Sequence, residues 1–297
     1  MNSGQRPGLI RTLLFTAFSL VAFAANSVLC RLALKGGEID PASFTVIRLL
    51  TGAMVLVFIL RFTAKREAPQ ARGSWTAAAM LFLYAVTFSF AYLSLDTGTG
   101  ALVLFGAVQI TIVLIGRLRG NRLGILEWAG MAIAFGGLVY LVKPSVTTPS
   151  AVGFALMAIA SAAWGIYTLS GKGSVNPLAD TRFNFVRTIP LVMVLAIAGL
   201  ANQQLSMEGI LLAAISGGIA SGIGYTLWYT ALGGLSTTEA AAVQLTVPII
   251  AAFGGVIFVS EPVSQRLLIS TVLTLGGILM VIGGRHYFHG SEQNTKN

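Results

Sequence analysis

Two glutamines and two arginines sit where so apolar a chain would ordinarily carry Leu or Val. Gln109 lies in "AVQIT" (107–111) and Gln244 in "AVQLT" (242–246). Arg48 lies in "FTVIRLL" (44–50) and Arg187 in "FNFVRTI" (183–189), each four residues after a Phe. Amides and guanidinium groups bind solutes through hydrogen bonds and charge; they are poor nucleophiles and poor proton carriers. Groups suited to bond-making chemistry are placed elsewhere. Asp96, Glu127, Glu208 and Glu239 fall at the ends of apolar segments, so no proton-relay acid is visible at depth. His286 and His289 stand at the C-terminal edge, which gives no Ser–His pair and no metal site within the apolar segments. Cys30 is the only cysteine, and no Gly-Lys-Ser phosphate loop occurs. The sequence therefore predicts solute recognition without catalysis, metal or cofactor.

The elements that hold these residues are membrane spans. Hydrophobic residues make up 55 % of the 297 and charged residues only 10 %. Soluble domains carry about 25 % charge. A helix crosses the hydrocarbon layer in roughly 20 residues, and that length gives ten segments: 9–33, 43–62, 75–95, 98–117, 125–142, 151–171, 181–201, 208–232, 236–258 and 266–287. The net charge of +9 is not a nucleic-acid footprint, because its cations lie between the spans. With the N-terminus inside, cytoplasmic segments hold Arg6, Arg11, Arg61, Lys65, Arg66, Arg72, Arg117, Arg119, Arg122, Lys172, Arg182, Arg285 and Lys296. The other side holds Arg31, Lys35, Lys143 and Arg266. This bias places both termini in the cytoplasm.

Depth within the spans picks out candidate binding residues. Gln109 and Gln244 are close to mid-bilayer by helix rise, where a lipid-facing amide is costly. They are read as lining a cavity, the alternative being an interhelical hydrogen bond. Asn26, Tyr167 and Trp164 lie on the first helix of each half, Tyr84 and Phe88 form a stripe with Tyr92 on the third span, and Tyr225 and Trp228 take the matching place on the eighth. Tyr140 and Tyr287 fit the interfacial aromatic belt. Arg48 sits about five residues into its span, roughly 8 Å from the end, so its side chain is expected to snorkel outward. Arg31, Arg48, Lys172 and Arg187 are read as structural cations on helix C-terminal carbonyls; the other reading has one of them meeting a substrate carboxylate. Pro248 is a candidate hinge, and paired glycines such as Gly276 and Gly277 suit close helix approach.

The halves are weakly alike. "AVQIT" answers "AVQLT", "GGLVYLV" (136–142) answers "GGILMVI" (276–282), and "AYLSL" (91–95) is shadowed by "WYTAL" (228–232). Five spans per half make the second half enter from the opposite side, an inverted repeat of the kind common in secondary transporters. The expected division is 1–144, 145–288 and a cytoplasmic tail 289–297. "WGIYTLSGK" (164–172), "NPLADTRFNFVR" (176–187), "VQLTVPIIAAFGGVIFVSEPVS" (243–264) and "GGILMVIGG" (276–284) together resemble the drug/metabolite transporter superfamily, its ten-helix EamA-type exporters in particular, and within it the YddG-type amino-acid exporters. In the first half Phe23 stands in place of the pattern's Trp, Asn121 in place of its Glu, and the proline matching Pro248 is missing.

The resemblance implies an all-α membrane protein of ten transmembrane helices in two inverted five-helix repeats. The third, fourth, first, sixth, eighth and ninth spans should surround a central cavity. The function it implies is an inner-membrane carrier exporting amino acids or similar small metabolites by alternating access. The alternatives are a multidrug or other metabolite carrier of the same fold, and a scaffold or sensor without transport. Expected partners are a small-molecule substrate and the lipid bilayer, with no nucleic acid and no obligate protein partner.

Overall fold

A computed structural model describes residues 8–63, 73–118, 124–142, 150–235 and 237–294. The helices are α1 (Leu9–Lys35), α2 (Pro41–Thr63), α3 (Trp75–Ala91), α4 (Thr97–Leu118), α5 (Ile125–Val142), α6 (Ala151–Gly171), α7 (Pro177–Arg187), α8 (Ile189–Gly199), α9 (Met207–Ile215), α10 (Gly224–Leu232), α11 (Thr237–Gln244), α12 (Val247–Val259) and α13 (Gln265–Asn294). Eight stretches are long and apolar enough to cross a membrane, and Trp75–Ala91 and Ile125–Leu141 are shorter apolar helices. The described residues form no strand beyond one isolated bridge, Ile39 to Leu205. The ten expected spans are all helical.

Three spans are interrupted, and two interruptions have a plain cause. Pro190 and Pro248 each lie at the start of a helix, following breaks at Thr188 and at Leu245–Thr246. A proline lacks the N–H an uninterrupted helix needs and crowds the preceding turn, so the helix restarts around it. The third interruption is a π-helical segment, Ser216–Ile223, between α9 and α10. Starts are capped by short polar side chains: Ser74, Ser150, Asn176 and Ser206 each accept a backbone N–H three residues on. The last helix continues to Asn294, so it occupies most of the expected tail 289–297.

The packing repeats when the first five spans are exchanged for the last five. α3 packs on α6, and α1 packs on α10; α4 packs on α6, and α1 on α12. α2 packs on the π segment, and α3 on α7. The pairs α5–α13, α4–α12 and α2–α8 map onto themselves. In the α5–α13 pair, a Cβ on Gly130 would come within 2.5 Å of the Gly277 carbonyl, and one on Gly277 within 2.5 Å of the Gly130 carbonyl. Only glycine allows that approach. Large apolar side chains, among them Phe18, Phe58, Phe135, Ile197 and Phe258, face outward, as a lipid-contacting surface requires.

Arg6, Lys65, Arg66, Arg72, Arg119, Asn121, Arg122, Lys143 and Lys296 lie outside the described residues, as do the side chains of Arg285, His286, Tyr287 and His289.

Candidate functional site

A guanidinium is buried inside the bundle. α2 starts at Pro41, two residues before the sequence suggests, which puts Arg48 about 10 Å from the helix end at 1.5 Å per residue. Its side chain turns inward between α3 and the π segment and is 1 % exposed. The expected snorkelling and the expected seat on helix C-terminal carbonyls are both corrected: α2 presents Arg48 to protein instead of lipid. Arg48 Nε donates to Ser221 Oγ at 3.0 Å, and Nη2 donates to Tyr225 Oη at 2.7 Å and Tyr84 Oη at 3.2 Å. The guanidinium also lies 5.3 Å and 4.9 Å from the ring centres of Tyr84 and Phe88, a cation–π arrangement. Nη1 has no partner.

Asn26 of α1 completes the polar group. Its Oδ1 accepts from Ser216 Oγ at 2.8 Å and Ser221 Oγ at 3.2 Å, while its Nδ2 is 3.5 Å from Tyr225 Oη. The π segment explains how two serines five residues apart both reach one amide, since its i→i+5 turn puts such positions on one face. Close approach of this segment to α2 needs Gly217, where a Cβ would collide with the Arg48 carbonyl and the Thr51 hydroxyl.

Rings enclose the cluster. Trp164 packs on Tyr225 at 4.7 Å, on Tyr84 at 5.0 Å, on Phe23 at 5.3 Å and on Tyr167 at 5.4 Å between ring centres. Phe23 also meets Trp228 at 5.5 Å, and Phe185 meets Tyr225 at 6.0 Å. Phe23 and Trp164 hold corresponding places on the first helices of the two halves, so the halves touch ring to ring. Besides Arg48 Nη1, the indole nitrogens of Trp164 and Trp228 and the Tyr167 hydroxyl are buried without a partner. The guanidinium and the indoles can only donate, whereas the hydroxyl can donate or accept.

Of the residues singled out in the sequence, Asn26, Tyr84, Phe88, Trp164, Tyr167, Tyr225 and Trp228 come together here. Gln109 and Gln244 are both buried. Gln244 Nε2 donates to the Ala240 carbonyl of its own helix at 3.0 Å, and its Oε1 has no partner. Gln109 stands one turn from Phe105, which stacks on Phe23 at 6.1 Å. Phe23, Phe185, Ser216 and Ser221 were not foreseen. α2 and α7 contribute to the centre in addition to the expected spans, and the eighth span contributes through its π segment. The signal for Phe23 was its alignment with Trp164; the serines had none beyond lying in a glycine-rich stretch.

The other cations divide. Arg31 is held at the end of the bundle away from the termini: Nε to Glu261 Oε1 at 2.7 Å, Nη2 to Asp96 Oδ1 at 3.2 Å, Nη1 to the Tyr92 carbonyl at 2.9 Å. Glu261 Oε2 accepts from Thr97 N, at the start of α4, at 2.7 Å. Lys172, the counterpart of Arg31, is exposed at the end of α6. Arg187 is half-buried over the rings of Trp75 and Phe183.

The EamA-like transporter family matches residues 151–283. An uncharacterised protein of Pseudomonas aeruginosa is 46 % identical over 275 residues, 93 % of this chain and 96 % of that one. An uncharacterised transporter of Archaeoglobus fulgidus is 26 % identical over 209 residues, covering 68 % and 74 % of the two chains. A probable amino-acid metabolite efflux pump of Escherichia coli K12 is 24 % identical over 289 residues, covering 89 % and 92 %. One crystal structure superposes with a TM-score of 0.61 at 17 % identity, over 91 % of this chain and 98 % of the other, and so shares its fold. The chain belongs to the EamA-like transporter family, within the drug/metabolite transporter superfamily.

Proposed function

We propose that this multi-pass membrane transporter exports amino acids or similar small metabolites by alternating access, with the substrate held in the Arg48–Tyr84–Tyr225 region. The single observation behind this reading is the buried, ring-enclosed polar cluster between the halves, in which Arg48 Nη1, the Trp164 and Trp228 indoles and the Tyr167 hydroxyl have no partner. Such groups are costly to bury unless something else meets them. In this reading Asn26, Tyr84, Phe88, Trp164, Tyr167, Tyr225 and Trp228 contact substrate, and Gln109 and Gln244 line its route. The two halves, 1–144 and 145–288, rock about the centre, with the interruption before Pro248 as a hinge. The cation bias of the loops supports termini in the cytoplasm and residence in the inner membrane.

The test is efflux of labelled amino acids from proteoliposomes. Flux that falls in Trp164→Ala while the protein still inserts and melts normally supports the reading. Flux confined to lipophilic cations would instead favour a multidrug carrier of the same fold.

A further inference from the structure

Arg48 is a permanent cation. A guanidinium keeps its proton under all ordinary conditions, and no carboxylate among the described residues pairs with Arg48. The two buried carboxylates are committed elsewhere: Glu261 to Arg31 and Thr97 N, and Glu127 to the Gly124 backbone N–H at the start of α5. A charge taken out of water costs several kcal/mol unless it is paired. Tyrosine and serine oxygens and ring faces offset part of that cost for Nε and Nη2, but Nη1 is left over. The neighbouring orphans, the indole N–H groups of Trp164 and Trp228, are donors too. Among the described residues the centre therefore holds no negative charge, and its unmet groups are donors apart from the Tyr167 hydroxyl, which can donate or accept.

We infer that Arg48 is the anchor for a monoanionic group, and that the substrate is a small carboxylate whose apolar or aromatic body packs on the rings of Phe23, Trp164 and Trp228. This rests on the carrier reading above and narrows it. A carboxylate matches the planar guanidinium fork and brings the centre to neutrality. A dianion would leave one charge unmatched, and a cation would meet like charge with no acid to hold it. A substrate ammonium finds only Asn26 Oδ1, hydroxyls and ring faces here, so the carboxylate is the group the site is built to read.

Three aromatic probes of similar size separate the possibilities: phenylalanine (carboxylate and ammonium), 3-phenylpropionate (carboxylate alone) and phenethylamine (ammonium alone). The two carboxylates should raise the melting temperature of the purified wild-type protein and compete with each other, and phenethylamine should do neither. Arg48→Gln should bind the carboxylates about 100-fold more weakly, the scale of losing one or two charge-assisted hydrogen bonds, with Arg48→Lys in between. Phenethylamine acting as strongly as 3-phenylpropionate on wild-type protein overturns the anchor without needing any variant to fold. So does an Arg48→Gln protein that binds carboxylates as the wild type does. If wild-type liposomes move other solutes and ignore carboxylates, the anchor falls and the carrier reading stands; if they move no solute, the carrier reading falls as well.

Discussion

Glu261→Gln tests what holds one end of the bundle shut. Arg31 and Glu261 are joined at 2.7 Å with side chains only 10 % and 6 % exposed, so water screens the pair little. The carboxylate also takes the Thr97 backbone N–H at 2.7 Å. One network thus ties α1, the end of α3, the start of α4 and the segment after α12. Removing one partner of a buried pair costs about 3–5 kcal/mol. Gln keeps an acceptor and Asp96 stays as a second, mostly exposed partner, so a loss of roughly 2–3 kcal/mol is expected, near the value for hydrogen bonds to charged groups. If opening this end breaks the network, the open-to-closed ratio should rise about 30- to 150-fold. Cys30 provides the readout. It is the chain's only cysteine, adjacent to Arg31 and 0 % exposed, so its labelling by a membrane-impermeant thiol reagent should track the open population. Labelling of intact cells should accelerate in Glu261→Gln by that factor, up to saturation. An unchanged rate in a correctly inserted variant would show that this network is not what keeps the end closed. Acceleration seen only in inverted vesicles would overturn the orientation instead.

Gly217→Ala should push the π segment off α2, because the added Cβ collides with the Arg48 carbonyl and Thr51; a loss of about 1–3 kcal/mol or more should appear as a lower melting temperature and poorer expression. Tyr225→Phe removes the 2.7 Å contact to Arg48 Nη2 and should destabilise the substrate-free protein by about 1.5–3 kcal/mol, read from its melt. Pro248→Ala permits the helix to continue through Leu245–Thr246, so turnover should fall several-fold in liposomes with the melting temperature unchanged or higher. In the α1–α2 loop, burial raises the Asp40 carboxyl's pKa, but hydrogen bonds from Ser43, Gln204 and Ala42 outweigh it and hold the pKa below the ordinary value. A depressed folded-state pKa contributes stability that is present above the ordinary carboxylate range and lost as pH falls through the depressed value; Asp40→Asn should flatten the acid limb of a melting-temperature-against-pH curve.

Depth along a span was legible in the sequence, but the direction a side chain faces was not. Length and apolarity alone mark ten helices, and the restart at Pro248 is visible as a proline within an apolar run. Pro190 offered the same signal for the break at Thr188. Arg31 and Arg48 show where one-dimensional reading stops. Both are arginines near the same end of adjacent spans, and by depth both qualify for snorkelling. Arg31 faces Glu261 and Asp96, residues 230 and 65 positions away; Arg48 faces Ser221 and Tyr225, 173 and 177 away. Only the packing of α1 and α2 against the second half decides which cation is neutralised. The glutamines show the same limit: polarity repeated at matching positions suggests a shared task, but the sequence does not reveal that Gln244, at the end of α11, donates its N–H to the Ala240 carbonyl one turn back. The π segment needs both a permissive sequence, "GGIASGIG", and a partner close enough to make the wider turn worthwhile. The sequence shows the first and not the second.

Among the described residues the two ends of the bundle are joined by different contacts, and the difference bears on how the proposed carrier would rest. At the end away from the termini, the lock is ionic: Arg31 with two carboxylates and the start of α4. At the end bearing the termini, the described links between the halves include Asp180 accepting from the Gly73 backbone N–H at 3.0 Å and Asn184 accepting from Ser74 N at 2.9 Å. A buried ion pair with its remaining oxygen also satisfied is more costly to break than a pair of hydrogen bonds at a partly wet helix start. Of these described links the ionic one is the stronger, and a carrier is biased toward the conformer in which its stronger link is made. In the proposed orientation that conformer is closed to the outside. An exporter gains from this bias, since a resting carrier shut outward keeps external solute out of the centre, and a substrate can shift the balance only through contacts it makes better in the other conformer. Arg48 is placed to sense that difference: it lies on α2 and reaches Ser221 and Tyr225 in the opposite half, so an anion bound at Nη1 acts on the contacts that join the two halves.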